Sequence, residues 1–258
     1  MTNKSVDFGK TAGDYRQHRL GFPLDLFIRL KTLGIGLTGQ DIVDFGTGTG
    51  TLANQFARQQ CHVIGLDIAQ PMLDEAQKIA QAENLAVTYQ RAPAEQTALP
   101  NQIADVVSAG QCWHWFQGIQ AAQEAYRLLR RNGSLIICHV DWLPLPNTVV
   151  EATEQLILKH NPNWRFGGGN GFYGQWAEHL YIAGFIGLES FSFDLHFPYS
   201  PDSWRGRIRA SSGVAASLSA DLVEKFDQEH QKILERDFPQ NTLQIPHRVF
   251  AIIGRKVS

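Results

Sequence analysis

The fold of this chain is decided by one stretch, Ile42-Val43-Asp44-Phe45-Gly46-Thr47-Gly48-Thr49-Gly50. An apolar run typical of a β-strand ends there in closely spaced glycines, and an amphipathic segment typical of a helix follows. Glycine lets the backbone adopt positive φ angles and approach a ligand with no Cβ in the way. The helix that follows presents N–H groups that no helical carbonyl accepts. This arrangement is typical of a nucleotide-like cofactor site at the carboxyl edge of a parallel sheet.

An acidic residue is expected at the same edge of the sheet. Residues 62–66 form an apolar run that predicts the second strand, and Asp67 closes it. Because the second strand of such a sheet lies beside the first, Asp67 is expected to reach the same crevice. A carboxylate in that position can accept hydrogen bonds from both hydroxyls of a ribose.

The glycine spacing distinguishes between cofactors. NAD sites use G-x-G-x-x-G, because the pyrophosphate rests on the helix N-terminus, but Thr51 stands here where the third glycine would fall. Asp44, just before the glycines, would repel a pyrophosphate and favour a ligand that carries cations. S-adenosylmethionine (SAM) has an ammonium, a sulfonium and no phosphate. The sequence therefore disfavours an NAD-dependent oxidoreductase and predicts SAM, with S-adenosylhomocysteine (SAH) as product; the alternative is a simple glycine turn.

The rest of the chain continues the βα alternation and then changes character. Apolar runs predict further strands at residues 87–90, 103–109, 134–140, 191–197 and 249–253. Helical spacing predicts helices near residues 51–59, 71–80, 120–131, 148–160, 172–183 and 220–236. Asn132 and Gly133 are expected to stop the helix before the fifth strand. Alternating strands and helices indicate an α/β fold with a parallel sheet.

Composition limits the partners. The net charge is −2, with no basic excess of the kind that nucleic-acid-binding proteins show, so neither DNA nor RNA is expected as the main partner. The three cysteines contain no C-x-x-C pair, so no metal site is predicted and reduced thiols are expected. No apolar run is long enough for a membrane helix, and residues 1–20 lack the apolar core of a secretion signal. A cytoplasmic protein with no membrane partner is expected.

At these motifs the chain resembles the class I SAM-dependent methyltransferases. The resemblance is strongest to the small-molecule group that includes the trans-aconitate methyltransferase-like enzymes, with a methyltransferase type 11 domain. It implies a Rossmann-like, doubly wound, mostly parallel sheet with an antiparallel last strand, plus a helical lid insertion near the C-terminus. Residues 1–258 would form a single domain, with a SAM-binding core at about 35–140 and a substrate cover at about 141–175 and 198–246.

The resemblance also implies a set of cofactor-binding residues. These are Tyr15, Arg19, Asp44, Phe45, Gly46, Thr47, Gly48, Gly50, Asp67, Ile68, Met72, Ala94, Glu95, Ala109 and Gln111. Tyr15 or Arg19 would lie near the methionine tail, and Ile68 and Met72 against the adenine. Many relatives have glycine or aspartate where Pro93 stands, and proline has no N–H to donate. Adenine recognition is therefore expected to rest on the residues that follow it, Ala94 and Glu95.

The implied function is methyl transfer from SAM to a small-molecule acceptor, with a carboxylate or a hydroxyl as candidate acceptor groups. A general base is needed only when the nucleophile arrives protonated. His114 follows the fourth strand and is the candidate base, with the alternative that it only shapes the wall of the site. The predicted substrate-binding residues are Trp113, His114, Trp115, Tyr173, Trp204, Arg205 and Ser211. Arg205 is included because arginine forks bind carboxylates; the alternative is that it is a solvated helix residue. For Trp113 and Trp115 the alternative is that they are core aromatics.

Two further classes stay open. A non-catalytic protein could keep a SAM pocket, because methyl transfer requires no single catalytic residue. A methyltransferase acting on RNA or protein could share the same core, although the near-neutral charge disfavours RNA. The Asn/Asp-Pro-Pro-Tyr/Phe motif for flipped bases is also missing, since that position holds Gln111-Cys112-Trp113-His114. Ligand spacing for a metal-dependent O-methyltransferase is not found, and the oligomeric state is not predicted.

Overall fold

The glycine stretch opens a run of βα units in the computed structural model, which describes residues 21–257. The helices are α1 (Leu24–Thr32), α2 (Thr51–Arg58), α3 (Gln70–Ala82), α4 (Gly118–Leu128), α5 (Val149–His160), α6 (Trp176–Ile182), α7 (Pro201–Arg209) and α8 (Ala220–Asp237). The strands are β1 (Asp41–Phe45), β2 (His62–Asp67), β3 (Val87–Arg91), β4 (Ala104–Gly110), β5 (Leu129–Trp142), β6 (Ile186–Tyr199) and β7 (Leu243–Arg255). A short 3₁₀ helix, Trp113–Trp115, follows β4.

The strands form one seven-stranded sheet in the order β3-β2-β1-β4-β5-β7-β6. Strands β1 to β5 pair in parallel. Strand β7 runs antiparallel to β5, because Asn132 donates to the carbonyl of Lys256 while Leu143 donates to that of Pro246. The predicted fold class, a Rossmann-like sheet with an antiparallel last strand, is therefore confirmed.

The order of the strands reverses beside β1, which has β2 on one side and β4 on the other. Asp44 of β1 is opposite Gly65 of β2 and Ser108 of β4. The carboxyl ends of all three strands therefore meet at one edge. Ligands of open α/β sheets bind at such a switch point, so the topology brings the glycine loop and Asp67 together.

The chain divides into two compact units. Among the described residues, unit A comprises 21–140, 172–193 and 249–257, and unit B comprises 141–171 and 194–248. Unit A is built around a buried apolar cluster that includes Phe45, Leu66 and Trp113. Unit B has its own cluster, which includes Trp204 and Phe226. The bounds of unit B lie within a few residues of those predicted for the substrate cover.

Several boundaries differ from the predicted ones. Helix α4 ends at Leu128 and β5 begins at Leu129, although the pattern predicts helix to residue 131. Arg130 explains the difference, because it forms ion pairs with Asp105 (2.9 Å) and Asp41 (2.8 Å) at the amino ends of β4 and β1. These contacts between strands override the local helical pattern. Helices α1 and α7 were not predicted, and β6 and β7 extend beyond their apolar runs.

Within residues 21–257, none of the helices combines the length and the apolar character that a membrane crossing requires.

Candidate functional site

The glycine loop has a left-handed backbone at each of its three glycines, with φ of 58°, 56° and 79° at Gly46, Gly48 and Gly50. The surroundings of Gly48 and Gly50 differ. Among residues 21–257, a Cβ at Gly48 would have no neighbour closer than the Met72 methyl carbon at 4.0 Å, so this part of the chain leaves open space in front of it. A Cβ at Gly50 would instead collide with the Tyr89 hydroxyl. Gly50 is thus required for packing, whereas Gly48 leaves room for a ligand to approach the backbone.

The carboxylate of Asp67 holds this loop in place. One of its oxygens accepts a hydrogen bond from the N–H of Gly48 and the other from that of Ala69, both at 2.9 Å. A carboxylate offers about four acceptor positions, so each oxygen keeps capacity for a further donor. The next residue, Ile68, is 66% exposed, while Met72 on α3 is buried. An apolar side chain with that much exposed surface, beside a carboxylate, suits a planar base attached to a ribose.

Asp44 lies buried at the end of β1, with 1% of its surface exposed. It accepts a hydrogen bond of 2.7 Å from the Ser108 hydroxyl. Burial and, to a smaller extent, the charge of Asp67 raise the pKa of Asp44 from 3.8 to about 6, although the hydrogen bond from Ser108 and the nearby Thr47 hydroxyl oppose the shift. A ligand cation near this carboxyl would favour the ionised form.

The other predicted cofactor residues surround the loop or follow β3 and β4. Phe45 and Thr47 are buried, and Ala94 and Ala109 contribute little beyond their backbone. The Glu95 carboxylate accepts a 2.9 Å hydrogen bond from the N–H of Gln117, at the start of α4. Glu95 is therefore held by the protein itself, and its adenine contact stays a prediction.

Gln111 follows β4 with a positive φ of 62°. Its backbone N–H donates to the Cys138 carbonyl at 2.9 Å, and its side-chain amide donates to the Val140 carbonyl. Both bonds tie the end of β4 to β5. The predicted role of Gln111 at the cofactor would have to use its remaining polar atoms.

The 3₁₀ helix after β4 separates the two predicted tryptophans. Trp113 is buried in the unit A cluster, and its indole N–H donates to the His179 ring at 3.1 Å. This placement favours packing over substrate contact for Trp113. Trp115 is 45% exposed, and its ring lies 4.6 Å from that of His114, centroid to centroid. His114 and Trp115 therefore present exposed surface after the carboxyl end of β4, which the buried Trp113 does not.

Sequence analysis did not predict His139, which lies buried on β5 beside the end of β4. Its ring centroid lies 5.3 Å from that of His114 and 4.7 Å from that of Tyr173. Tyr173 in turn stacks on Trp176, with centroids 4.2 Å apart. The signal was a single histidine near the carboxyl end of an otherwise apolar strand. These rings form an aromatic and imidazole cluster at the carboxyl edge of unit A.

Three predicted substrate residues lie in unit B. Trp204 is fully buried and donates to the Thr153 hydroxyl at 3.1 Å, which favours a packing role. Arg205 forms ion pairs with two aspartates, so its fork is occupied within the protein. Ser211 is buried near the end of α7. Two of the predicted cofactor-binding residues, Tyr15 and Arg19, lie outside the described part of the chain.

The chain is similar to known methyltransferases in its sequence. Residues 43–137 match the methyltransferase domain family. An uncharacterised methyltransferase of Schizosaccharomyces pombe is 28% identical over 216 residues, which cover 82% of this chain and 80% of that protein. Demethylmenaquinone methyltransferase of Thermus thermophilus is 31% identical over 129 residues, or 48% of this chain and 59% of that protein. The residues that match the domain family, 43–137, contain Gly46–Gly50, Asp67 and His114.

The structure also resembles solved methyltransferases. Phosphoethanolamine N-methyltransferase 2 of Haemonchus contortus aligns over 100% of this chain and 61% of its own length, with a TM-score of 0.61 and 19% identity. That protein was solved with phosphomonomethylethanolamine and SAH. The chain therefore has the Rossmann-like fold of the SAM-binding methyltransferases.

Proposed function

We propose that this protein is a SAM-dependent methyltransferase that methylates a small-molecule acceptor at a carboxylate or hydroxyl. The observation that carries the proposal is the open space that the described residues leave in front of Gly48, beside a carboxylate, at the switch point of the sheet. We place the chain in the small-molecule group with the trans-aconitate methyltransferase-like enzymes. The charge of −2 supports a small acceptor over RNA.

The residues of unit A fit each part of SAM. Asp67 has free acceptor capacity for the ribose hydroxyls, and the exposed face of Ile68 suits the adenine. The cationic amino acid portion would be attracted by Asp44. The site is framed by backbone from β1, β2 and β4, which belong to one parallel sheet, so these groups are held rigidly before a ligand arrives.

When bound, SAM supplies an activated methyl group on a sulfonium. The chain's own contribution is to hold the acceptor in line, which in well-oriented reactions lowers the barrier by ~7–11 kcal/mol. His114 accepts the acceptor's proton if it arrives protonated, because an imidazole can take up a proton near neutral pH. His139 lies edge-on to that ring and positions it. The faces of Trp115 and Tyr173 offer favourable contacts to a cation.

Calorimetric titration of the purified chain with SAM, SAH and NAD tests the cofactor. We expect micromolar binding of SAM or SAH and none of NAD. Binding of neither SAM nor SAH would refute the proposal. The next step is to mix SAM with small carboxylic acids, phenols and amines and measure SAH release. Turnover with an acid or a phenol is the expected result, whereas labelling of protein or RNA alone would move the chain to another class of methyltransferase.

A further inference from the structure

Helix α7 of unit B carries three arginines, and two of them have obvious partners. Arg205 and Arg209 are four residues apart, so they share one face of the helix. Both pair with Asp227 of α8, Arg209 at 2.8 Å, and Arg205 also reaches Asp202. These two guanidinium groups are accounted for by the packing of α7 against α8.

Arg207 points to the other side of the helix and is enclosed differently. Its guanidinium carbon lies 4.9 Å from the centroid of the Trp142 ring, and the Tyr199 hydroxyl is its hydrogen-bonding neighbour. Among residues 21–257, no carboxylate lies within ion-pair distance of it; Asp141 acts on it only at longer range. Burial lowers the pKa of Arg207 in spite of these two neighbours. An enclosed cation without a paired carboxylate costs free energy.

A buried hydroxyl without a hydrogen-bond partner among the described residues lies one helical turn further on. Ser211 is 7% exposed, and within the described part of the chain its hydroxyl has no hydrogen-bond partner. The backbone is still helical at Ala210, and the N–H of Ser211 donates to the Ile208 carbonyl at 2.9 Å. Four residues separate Ser211 from Arg207, which puts them on the same face of the turn. Buried hydroxyls are nearly always hydrogen-bonded.

We propose that Arg207 and Ser211 form a binding site for a small organic carboxylate in unit B. The flat guanidinium fork matches the two oxygens of a carboxylate, and the serine hydroxyl supplies a further donor. Trp142 holds the guanidinium from one face. It is itself fixed by Glu154, which accepts its indole N–H at 2.7 Å and the N–H of Gly168 at 2.8 Å.

The charged and titratable neighbours of Arg207 do not replace such a ligand. His247 and His196 lie in the same part of unit B, and burial holds His247 neutral by lowering its pKa to about 4. Its ring nitrogen Nδ1 is already 2.9 Å from the Ile245 carbonyl. Asp141 is the carboxylate whose charge acts on Arg207 at longer range, and it also interacts with other groups. This inference concerns unit B alone and stands apart from the methyl-transfer proposal.

The test is titration of the full chain with succinate, benzoate and inorganic phosphate, followed by calorimetry or ligand-observed NMR. We expect saturable binding of a carboxylate, and about tenfold or more weaker binding in Arg207→Gln. Ser211→Ala should weaken it in the same direction. The matched control is Arg236→Gln, which removes one exposed arginine from the same unit and should leave binding unchanged. Saturable binding of phosphate alone, absence of any carboxylate binding, or equal binding by Arg207→Gln would each overturn the proposal.

Thermal unfolding separates a binding role from a packing role. If the two groups serve ligand binding and not packing, Arg207→Met and Ser211→Ala leave the unfolding temperature of the free protein unchanged or raise it. The first removes a cation that pairs with no carboxylate of residues 21–257, and the second removes a buried hydroxyl without a hydrogen-bond partner there. A clear fall in both variants would show that the groups stabilise the fold, and would overturn the site. SAH affinity, measured on the same samples, should equal that of the wild type. A loss of SAH affinity in these variants would overturn the proposal that this site is separate from the cofactor site.

Discussion

Replacement of Asp44 by asparagine is expected to stabilise the free protein and to weaken cofactor binding. The structure raises the pKa of this carboxyl from 3.8 to about 6, a difference of about two units, which corresponds to ~3 kcal/mol. The sign follows from linkage, since the folded state binds the proton more tightly than the unfolded state. The stabilising contribution of the protonated carboxyl is complete below pH 4 and is lost as the pH rises through 6.

At pH 7.5 the ionised Asp44 therefore reduces the stability of the fold. Asparagine has almost the same shape and keeps an oxygen that accepts the Ser108 hydroxyl, but it carries no charge. Its NH₂ group needs partners in a buried place, so we expect a net gain of about 1–3 kcal/mol in the free energy of unfolding. SAH affinity should fall in the same variant, because the attraction for the ligand's ammonium is lost.

Urea unfolding between pH 4 and pH 8 measures this directly. The difference in stability between variant and wild type should be near zero at pH 4 and grow to its full size above pH 6. Asp227→Asn is the control of opposite sign, because the pKa of Asp227 is lowered by hydrogen bonds from Arg205 and Arg209, and it should lose stability at neutral pH. A difference for Asp44→Asn that does not change with pH, or a loss of stability at pH 7.5, would refute the reasoning.

Five further substitutions test the rest of the site. Gly48→Ala puts a Cβ into the open space at a left-handed φ, so SAH affinity should fall at least tenfold, while the backbone strain is a modest ~1–2 kcal/mol. Retained SAH binding by the folded Gly48→Ala variant would refute a ligand contact at Gly48. Gly50→Ala should instead mainly lower the unfolding temperature. Asp67→Ala should weaken SAM binding by ~2–4 kcal/mol, and unchanged affinity by calorimetry would remove the cofactor assignment. His114→Ala should lower turnover with little change in SAM affinity, while a large loss of affinity would favour the wall role, and His139→Gln should lower the rate without changing the affinity for SAH.

The sequence predicted the first half of the chain well because its signals are local. A strand, three glycines and a helix N-terminus occupy consecutive residues, and Asp67 ends the next apolar run, so parallel pairing alone brings them together. The same reasoning misplaced the end of α4, because Arg130 is drawn into β5 by carboxylates far away in the sequence. His139 was missed because a histidine inside an apolar strand gives no periodic signal of its own.

The arginines of α7 show the same limit within one helix. The sequence presents Arg205, Arg207 and Arg209 as one cluster, and the composition of a helix cannot say which of them meets an acid. Asp227 comes from a different helix and pairs with the first and third. The prediction chose Arg205, which is occupied, whereas the residue without a paired carboxylate is its neighbour two positions on. Only tertiary contacts distinguish a structural arginine from one that is available.

Both units contain polar groups that the fold alone does not need. In unit A, burial makes the ionised form of Asp44 unfavourable for the stability of the fold, although asparagine could accept the same hydrogen bond. In unit B, within the part of the chain that the structure describes, Arg207 lacks a paired carboxylate and Ser211 lacks a hydrogen-bond partner. Polar groups that are unfavourable where they lie concentrate at functional sites, because a ligand supplies the missing interaction. The two sets of groups favour ligands of opposite charge, a cation at Asp44 and an anion at Arg207. We therefore expect Asp44→Asn to weaken the binding of SAH and not that of the carboxylate, and Arg207→Gln to do the reverse.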